Sequence, residues 1–298
     1  MFETRLTALH IDVARFASDD FNPFHDRHKW QRIAGNPFGG PIALGFQLGA
    51  CGLEAVRDVR GAAASGGEPR YSTLQIRFID ALRADDTLSV TVRDRRADGD
   101  ARAHRFVVRR NGRTAALGAL RGGHSAPPAV ADEAAFARAL DQLPDRSVVP
   151  GGGWFLKRKF MLTANAKNFL AAAGIDPFRY FDELENRVRF PEIYPASLIS
   201  SALLEHGLHQ HHDFMAEPMI YSHHEITTNL DALQRLRSND RLNIVVSHHP
   251  TRVAQRVLHR CLGFTARGER LFTAGIGLVP LASLPACVGA GEADGGPE

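Results

Sequence analysis

The sequence predicts an α+β chain built from two similar halves, each with one long apolar helix wrapped by an antiparallel sheet. Three observations predict it: an internal repeat, one long apolar segment in each half, and strand-like runs separated by turn residues. Alternation of apolar and polar residues is clearest over Leu88–Val92, and Asn111-Gly112 between two such runs is a strong hairpin signal.

The repeat consists of four short motifs that recur in the same order. Pro23-Phe24 recurs as Pro177-Phe178, and Pro41, which opens the first apolar segment, recurs as Pro195, both at an offset of 154 residues. The other two pairs are Arg83–Leu88 with Arg237–Leu242 at an offset of 154, and Asn111–Arg113 with Arg267–Glu269 at an offset of 156. Because four ordered matches at nearly one spacing are improbable by chance, the chain is predicted to be a duplication.

Each half is predicted to hold the same elements in the same order. The two short helices and the two long apolar helices are expected at Asp12–Ala17, Asn165–Ala173, Ile42–Val56 and Ala196–Leu208. The strands are expected at Ser72–Phe78, Thr87–Arg93, Ala103–Arg110 and Thr114–Arg121, and then at Ile220–Thr227, Leu242–Ser247, Val253–Thr265 and Leu271–Val279.

Composition marks the boundaries of the halves. Two Gly/Pro-rich stretches, 122–131 and 144–153, flank a segment of helical character at Asp132–Leu143. The predicted organisation is therefore an N-terminal half over 1–125, a linker with a short helix over 126–153, and a C-terminal half over 154–284. A tail over 285–298 is expected to be disordered, because it has almost no bulky apolar residue.

The overall composition is that of a globular protein. Of the 298 residues, 44 % are apolar and 23 % are charged, which excludes a fibrous chain and wholesale disorder. The net charge of +3 is too small to indicate a nucleic-acid partner. The most apolar window, Gly39–Leu53, is too short to span a membrane, and three cysteines without a C-x-x-C pattern favour a reducing compartment. We expect a cytoplasmic protein with no membrane partner.

The loop before the first long helix carries residues suited to proton transfer. Asp20, Asn22 and His25 lie on a turn stiffened by Pro23. An imidazole with an ordinary pKa can give or take a proton at neutral pH, and a nearby carboxylate can orient it or share a water molecule with it. From the residues alone, the alternative is a helix-capping turn with a satisfied histidine.

This loop resembles the hydratase motif of the MaoC-like family, which contains the (R)-specific enoyl-CoA hydratases of hotdog fold. The D-x-N-P-x-H core is complete at Asp20–His25, and P-I-A-x-G follows at the family's spacing as Pro41–Gly45. The resemblance implies a double hotdog of two tandem hotdog repeats. It also implies a lyase that interconverts 2-enoyl and 3-hydroxyacyl thioesters of coenzyme A or of an acyl carrier protein.

The resemblance further implies a role for each matching position. Asp20 and His25 would be the acid/base pair that activates one water molecule, and Asn22 would fix their arrangement. Gly45 would place its backbone N–H against the thioester carbonyl, where enolate charge develops.

Two positions depart from the family's pattern. Asp19 stands where glycine is usual, and Leu44 stands where histidine is common. Asp19 is expected to add negative charge beside Asp20, which would raise a carboxyl pKa if both groups were buried. Leu44 removes a polar group near the start of the helix, and both departures bear on the identity of the acyl substrate.

Applied to the motif, the repeat predicts one active site per chain. The offset of 154 places Gly174, Asp176, Arg179 and Ile199 over Asp20, Asn22, His25 and Gly45 respectively. The second half therefore lacks the acid/base pair and is expected to complete a substrate tunnel. The acyl group is expected to contact Ala43, Phe38, Phe46 and Phe78, with plain core packing as the alternative for each aromatic ring.

Several possibilities stay open at this point. Histidines at His206–His212 have metal-like spacing without an acidic or cysteine ligand, so no metal is expected, and coenzyme A or phosphopantetheine would enter only as part of the substrate. Arginines between Arg93 and Arg113 suit a basic rim for a phosphorylated carrier or acyl carrier protein, or a charged sheet edge. A hotdog thioesterase and a non-catalytic acyl-thioester-binding subunit are the alternative functions. The chain is expected to be a monomeric pseudo-dimer or a homodimer.

Overall fold

A single antiparallel sheet of twelve strands runs through both halves of the chain in the computed structural model, which describes residues 2–61, 69–96, 102–128 and 132–284. The strands are β1 (Phe2–Arg5), β2 (Tyr71–Phe78), β3 (Thr87–Arg96), β4 (Arg102–Arg110), β5 (Arg113–Gly123), β6 (Ser147–Val149), β7 (Trp154–Met161), β8 (Phe181–Asp182), β9 (Arg187–Val188), β10 (Met219–Asn229), β11 (Asp240–Ser247), β12 (Thr251–Val253), β13 (Arg256–Thr265) and β14 (Arg270–Pro280). The helices are α1 (Ala8–Ser18), α2 (Gly45–Gly61), α3 (Glu133–Gln142), α4 (Thr163–Ala172), α5 (Tyr194–Ser197), α6 (Ile199–His209) and α7 (Leu230–Gln234). The two-residue strands β8 and β9 pair only with each other.

The sheet has a local two-fold axis at its centre. From the centre the strand order is β2-β5-β4-β3-β1 in one direction and β10-β14-β13-β11-β7 in the other. Thr73 of β2 is the register partner of Thr227 of β10, and their hydroxyls are hydrogen-bonded at 2.9 Å. These two residues are separated by 154 positions, the offset of the sequence repeat. The axis therefore passes between two equivalent residues, as expected for a duplicated unit that pairs with its own copy.

Each long helix packs on the inner face of its own half of the sheet. Helix α2 lies against β3, β4 and β5, and α6 lies against β7 and β11. In the first half, the Phe106 ring lies between α2 and β5. It occupies the space that a Cβ atom would need at Gly52 of α2 and at Gly118 of β5, so both positions require glycine. Helices α1 and α4 pack on each other, and one apolar core extends across both halves.

The structure adds five strands that the sequence did not predict, of which β6, β8 and β9 have only two or three residues. Strand β1 is only four residues long, and the apolar ends of β7 enclose a basic centre, so neither shows a period-two pattern. Lys157 is a buried residue of β7, and its ammonium group is paired with Asp145 at 3.3 Å and with Glu205 at 3.4 Å. Ion pairing thus permits a lysine at a core-facing strand position.

Two other predicted elements differ in detail. The second long helix is divided at Leu198 into α5 and α6, and the predicted strand Val253–Thr265 is the hairpin β12–β13, which turns at Ala254 with a φ of +51°. Helix α3 forms inside the predicted linker, capped by the Asp132 side chain. The predicted tail over 285–298 lies outside the described residues. In the part of the chain that is described, no helix has the length and apolar character needed to cross a bilayer.

Candidate active site

Helix α1 ends in a left-handed turn that directs Asp20 inward. Asp19 has a φ of +54°, a conformation that favours glycine, which gives a physical reason for glycine at this position in the family that the motif resembles. The N–H of Asp20 donates to the Arg15 carbonyl at 2.7 Å and so closes the helix end. The Asp19 carboxylate is 64 % exposed and paired with Lys159, so the two neighbouring carboxylates are not buried together. The condition attached to the expected effect of Asp19, burial of both groups together, is therefore not met.

Two consecutive side-chain turns then fix the loop. One carboxylate oxygen of Asp20, Oδ1, accepts from the N–H of Asn22 at 2.9 Å, and the amide oxygen of Asn22 accepts from the N–H of Phe24 at 3.1 Å. Asn22 thus caps the short 3-10 turn that begins at Pro23 and ends at His25. The Asn22 side chain therefore positions the loop backbone.

Asp26 ties the loop back to helix α1. Its carboxylate accepts from the N–H groups of His28 and Lys29 and from the guanidinium of Arg15 at 2.8 Å. Burial would raise the pKa of Asp26, but these three donors outweigh it and hold the pKa below its usual range. The charged form of Asp26 therefore anchors the loop. The sequence interpretation missed this residue, although it lies directly after His25.

His25 and Asp20 face each other with one free atom each. The Nδ1 atom of His25 lies 2.7 Å from the Ile42 carbonyl. Because a carbonyl can only accept, Nδ1 carries the proton in the neutral ring and Nε2 is left as an acceptor. Nε2 lies 3.9 Å from Oδ2 of Asp20, both side chains are at most 5 % exposed, and neither atom has a hydrogen-bond partner among the described residues. One water oxygen can lie within hydrogen-bond distance of both atoms.

This pair lies beside a cavity of about 790 Å³ between the two halves. His25 and Asn22 line the cavity, whereas Asp20 does not line it and faces His25 at 3.9 Å. Most of the remaining wall is apolar, and it includes three of the residues predicted to contact the acyl group. These are Phe38, Ala43 and Phe78.

Phe46 lies elsewhere than predicted. It does not line the cavity, because its ring is completely buried behind the wall against His224, at a centroid distance of 4.5 Å, and against Tyr221 at 6.2 Å. Position 46 follows the first residue of α2 and points into the core, so the packing alternative describes it correctly. Leu44 is also buried in the core.

Gly45 is the first residue of α2 and lines the cavity. The N–H groups of a first helical turn have no intrahelical partner, and no acceptor in the described chain takes the N–H of Gly45. A Cβ atom at this position would lie 2.8 Å from the Phe78 ring and 3.2 Å from the His224 ring. The site therefore needs glycine for close packing as well as a free N–H beside the cavity.

The second half contributes Tyr221, which the sequence interpretation missed. Its ring lines the cavity, and its hydroxyl is hydrogen-bonded to Ser200 of α6 at 2.7 Å. Burial and then the negative charge of Asp20 raise the pKa of Tyr221, so its hydroxyl stays protonated near Asp20. A bulge between Tyr221 and His223 in β10 breaks the strand's alternation, which hid this residue from the pattern.

The arginines of the predicted basic rim whose side chains the structure describes do not line the cavity. Arg93 and Arg105 are register partners on β3 and β4 and are exposed, whereas their neighbours Val90, Phe106 and Val108 face the core. Because successive side chains point to opposite faces, these arginines lie on the outer face of the sheet, away from the helices and the cavity. Their placement agrees with the alternative of a solvated, charged sheet surface.

Comparisons with known proteins give the fold a name. No family model and no curated protein sequence matches the chain. Among solved structures it is similar to a MaoC domain dehydratase from Chloroflexus aurantiacus, with a TM-score of 0.59 and 10 % identity over 94 % of this chain and 93 % of that one. It is also similar to a conserved hypothetical protein of Mycobacterium tuberculosis described as having a double hotdog fold, with a TM-score of 0.55 and 11 % identity over 94 % of both chains. The chain is a double hotdog. An oleoyl thioesterase from Lactobacillus plantarum is similar as well, with a TM-score of 0.50 and 11 % identity over 94 % of this chain and 95 % of that one.

The second repeat of the double hotdog keeps the frame of the site without its chemistry. Helix α4 ends in a left-handed Gly174, with a φ of +70°. The N–H of Ile175 donates to the Leu170 carbonyl, just as the N–H of Asp20 donates to the Arg15 carbonyl in the first repeat. The equivalent of Asp20 is therefore the apolar Ile175, and the predicted match to Gly174 is wrong by one residue because the second loop is shorter. Asp176 caps the following turn, as Asn22 does.

Arg179 is the residue of the second repeat that is equivalent to His25, and it forms ion pairs. Its guanidinium is paired with Glu54 and, at 2.6 Å, with Asp58, both on α2. The Tyr180 hydroxyl donates to Glu54 at 2.7 Å. These two carboxylates raise the pKa of Arg179, and the carboxylate of Glu54 is only 1 % exposed. The second copy of the loop thus contributes to stability in this double hotdog.

Replacing Glu54 by Gln is expected to lower the free energy of unfolding by about 1–3 kcal/mol, because it removes the charge from a buried acceptor of several hydrogen bonds. Equilibrium unfolding in urea measures the loss. Asp58→Asn is the matched control, since this partner of Arg179 is half-exposed and is expected to cost at most about 1 kcal/mol. Equal losses for the two variants would show that the buried carboxylate of Glu54 contributes no more to the free energy of unfolding than the half-exposed carboxylate of Asp58.

Proposed function

We propose that this double hotdog is a hydratase/dehydratase that interconverts 2-enoyl and (R)-3-hydroxyacyl thioesters at one site per chain. The observation that carries the proposal is the pair of buried acceptor atoms, Asp20 Oδ2 and His25 Nε2, 3.9 Å apart beside an apolar cavity. The (R) configuration follows from the resemblance of the motif to the MaoC-like family.

The residues of the site suit both halves of the reaction. In hydration, a water molecule donates one hydrogen bond to Asp20 and one to His25, and its oxygen forms a bond to the β-carbon of the enoyl group. The pair takes one proton from this water and delivers a proton to the α-carbon, so that H and OH are added across the double bond. Negative charge on the thioester oxygen is greatest in between, where the N–H of Gly45 stabilises it. Dehydration follows the same steps in reverse.

The reaction needs no electron transfer, since water is added or removed without oxidation or reduction. We therefore propose that it proceeds without a redox cofactor or a metal, with coenzyme A or the phosphopantetheine of an acyl carrier protein present only as the substrate's carrier. Cys51 and Cys261 are both free thiols in the core, which agrees with activity in the reducing cytoplasm.

An assay of the wild-type chain that follows two signals, the absorbance of the enoyl group and the release of free thiol, tests the proposal. With 2-enoyl-CoA as substrate, the absorbance of the conjugated double bond is expected to fall while no free thiol is released. A 3-hydroxyacyl product detected by mass spectrometry identifies hydration. Stoichiometric release of thiol would overturn the proposal in favour of a thioesterase.

The thioesterase alternative rests on the likeness in fold to the oleoyl thioesterase. In that chemistry Asp20 would take a proton from the water that attacks the carbonyl carbon, and the departing thiolate would be protonated to the thiol as the C–S bond breaks. The complete D-x-N-P-x-H arrangement of Asp20–His25 favours hydration, because it is the hydratase motif that this loop resembles. A non-catalytic acyl-thioester-binding subunit would show neither signal and would bind the substrate analogue unchanged.

A further inference from the structure

One end of the cavity is polar, in contrast to the apolar wall near Gly45. His206 of α6, His259 of β13 and Arg252 of β12 all line it there. His206 is 2 % exposed and His259 is 7 % exposed, whereas Arg252 is exposed and makes no ion pair with any described residue. No metal-binding group of histidine, cysteine or carboxylate side chains is present in the described chain, so the imidazoles need another explanation.

The two buried histidines are neutral and offer a free acceptor. Burial lowers the pKa of His206 and that of His259 to about 4 each. Nε2 of His206 lies 3.1 Å from Nδ1 of His248, and the nearby backbone of Ser247 acts against burial by raising the pKa of His259. Nδ1 of His259 is buried and has no partner among the described residues. Since a buried polar atom without a partner costs about 1–3 kcal/mol, a ligand atom is the economical explanation for it.

The direction of the cavity identifies which part of the substrate would reach this end. The proposed chemistry places the thioester carbonyl at Gly45 and the β-carbon near Tyr221, which lies beside Asp20. From Tyr221 the inner face continues through its partner Leu278 on β14 and then to Val257 on β13, two strands further. At about 4.8 Å per strand this is a distance of about 10 Å.

Helix α6 gives an independent measure of the same distance. Ser200 is hydrogen-bonded to Tyr221, and His206 lies six residues later on the helix, which is about 9 Å at 1.5 Å per residue. Gly45 packs against Phe78 of β2, and the strand order is β2-β10-β14-β13, so the polar end on β13 lies on the far side of Tyr221 from Gly45. With the carbonyl at Gly45, this is the side of the acyl chain rather than that of the carrier. It is reached by the distal part of an acyl chain.

We propose that His259, with Arg252 and His206, forms a subsite for a hydroxyl group on the distal part of the acyl chain. The proposal rests on the proposed function, which sets the orientation of the substrate. A hydroxyl suits the site because it can donate to Nδ1 of neutral His259 and accept from the guanidinium of Arg252. A terminal methyl would leave Nδ1 unpartnered, and a carboxylate has no hydrogen to donate to it.

Matched pairs of substrates test this subsite. The wild-type chain is assayed with 2-enoyl-CoA thioesters of increasing length, each with either a methyl or a primary hydroxyl at its end, and with the corresponding carboxylates. At the length that fits, the hydroxylated member is expected to have about ten-fold higher kcat/KM, which corresponds to one buried hydrogen bond. His259→Leu is expected to abolish this preference, so that the hydroxylated and methyl members have equal kcat/KM.

Two further variants separate the ligand role from a structural one. His259→Gln keeps an acceptor and is expected to retain part of the preference. His249→Leu replaces a neighbouring exposed histidine that does not line the cavity, and is expected to change nothing. Hydration of both members with equal kcat/KM at every length would overturn the subsite and leave the proposed function standing, as would a preference for the carboxylate. Absence of hydration with every substrate would overturn the proposed function. In that case binding of the saturated hydroxyl and methyl thioesters to Asp20→Asn, measured by calorimetry, decides the subsite: equal or undetectable affinities reject it.

Discussion

Asp20→Asn is expected to lower kcat/KM for hydration by at least about 100-fold, and His25→Gln by a similar factor. The amide of Asn has the size of the carboxylate and can still accept from the N–H of Asn22, so the loop is expected to keep its fold. What is lost is the acceptor at Oδ2 that holds and deprotonates the water. Gln at position 25 replaces the imidazole, which can accept and release a proton, by an amide, which cannot. Steady-state kinetics with 2-enoyl-CoA measures both losses, and circular dichroism checks that each variant is folded.

Neighbouring residues provide matched controls for these variants. Asp19→Asn changes a carboxylate one position away that is exposed and paired with Lys159, and His28→Gln changes an exposed imidazole three positions away. Both are expected to keep kcat/KM within about two-fold, because surface changes cost little. If Asp20→Asn were as active as Asp19→Asn, the facing pair would not be the catalytic centre.

The double variant of Asp20 and His25 tests whether the two groups act together. Because both hold the same water, removal of the second is expected to add little to the loss caused by the first. Losses that multiply would indicate independent roles, such as one residue in chemistry and the other in folding.

The sequence predicted those parts of the fold that depend on local patterns. The repeat offset of 154 residues is also the separation of Thr73 and Thr227, which pair at the two-fold axis. The predicted α+β double hotdog is confirmed by the solved structures of similar fold. Asp20, Asn22 and His25 could be predicted from the sequence because one turn of the chain brings them together. Helix caps and side-chain turns act over a few residues, so their sequence signals are sufficient.

Parts of the site that depend on distant segments could not be predicted. Tyr221 reaches Asp20 from the other half, and no spacing in the sequence connects two residues about 200 positions apart. Likewise, the Arg179–Glu54 pair joins the degenerate loop to α2 of the first repeat. Whether Phe46 faced the cavity or the core depended on the rotation of α2 about its axis, which tertiary packing sets. An apolar helix with few polar residues leaves that rotation undetermined.

Gly45→Ala is expected to lower kcat by about 100-fold, although alanine keeps the backbone N–H. Its Cβ would lie 2.8 Å from the Phe78 ring, so the ring or the first turn of α2 must move, and the N–H would leave its place beside the cavity. Gly49→Ala is the matched control in the same helix, since its Cβ would meet only ordinary contacts of 3.5 Å or more, and activity is expected to be unchanged. Steady-state kinetics and thermal unfolding are measured for both.

Removing the contact between the Cβ at position 45 and the Phe78 ring separates two effects on activity, steric crowding and loss of the N–H. Phe78→Leu shortens the obstructing side chain, so Gly45→Ala in that background is expected to recover most of the activity of Phe78→Leu alone. Gly45→Pro in the same background lacks the N–H, and proline is tolerated at the first position of a helix. It is expected to stay about 100-fold below the alanine variant, because removing one donor to a developing oxyanion has an effect of this size. Equal activity of the alanine and proline variants would mean that another group stabilises the charge on the thioester oxygen, and Gly45 would then be required for packing alone.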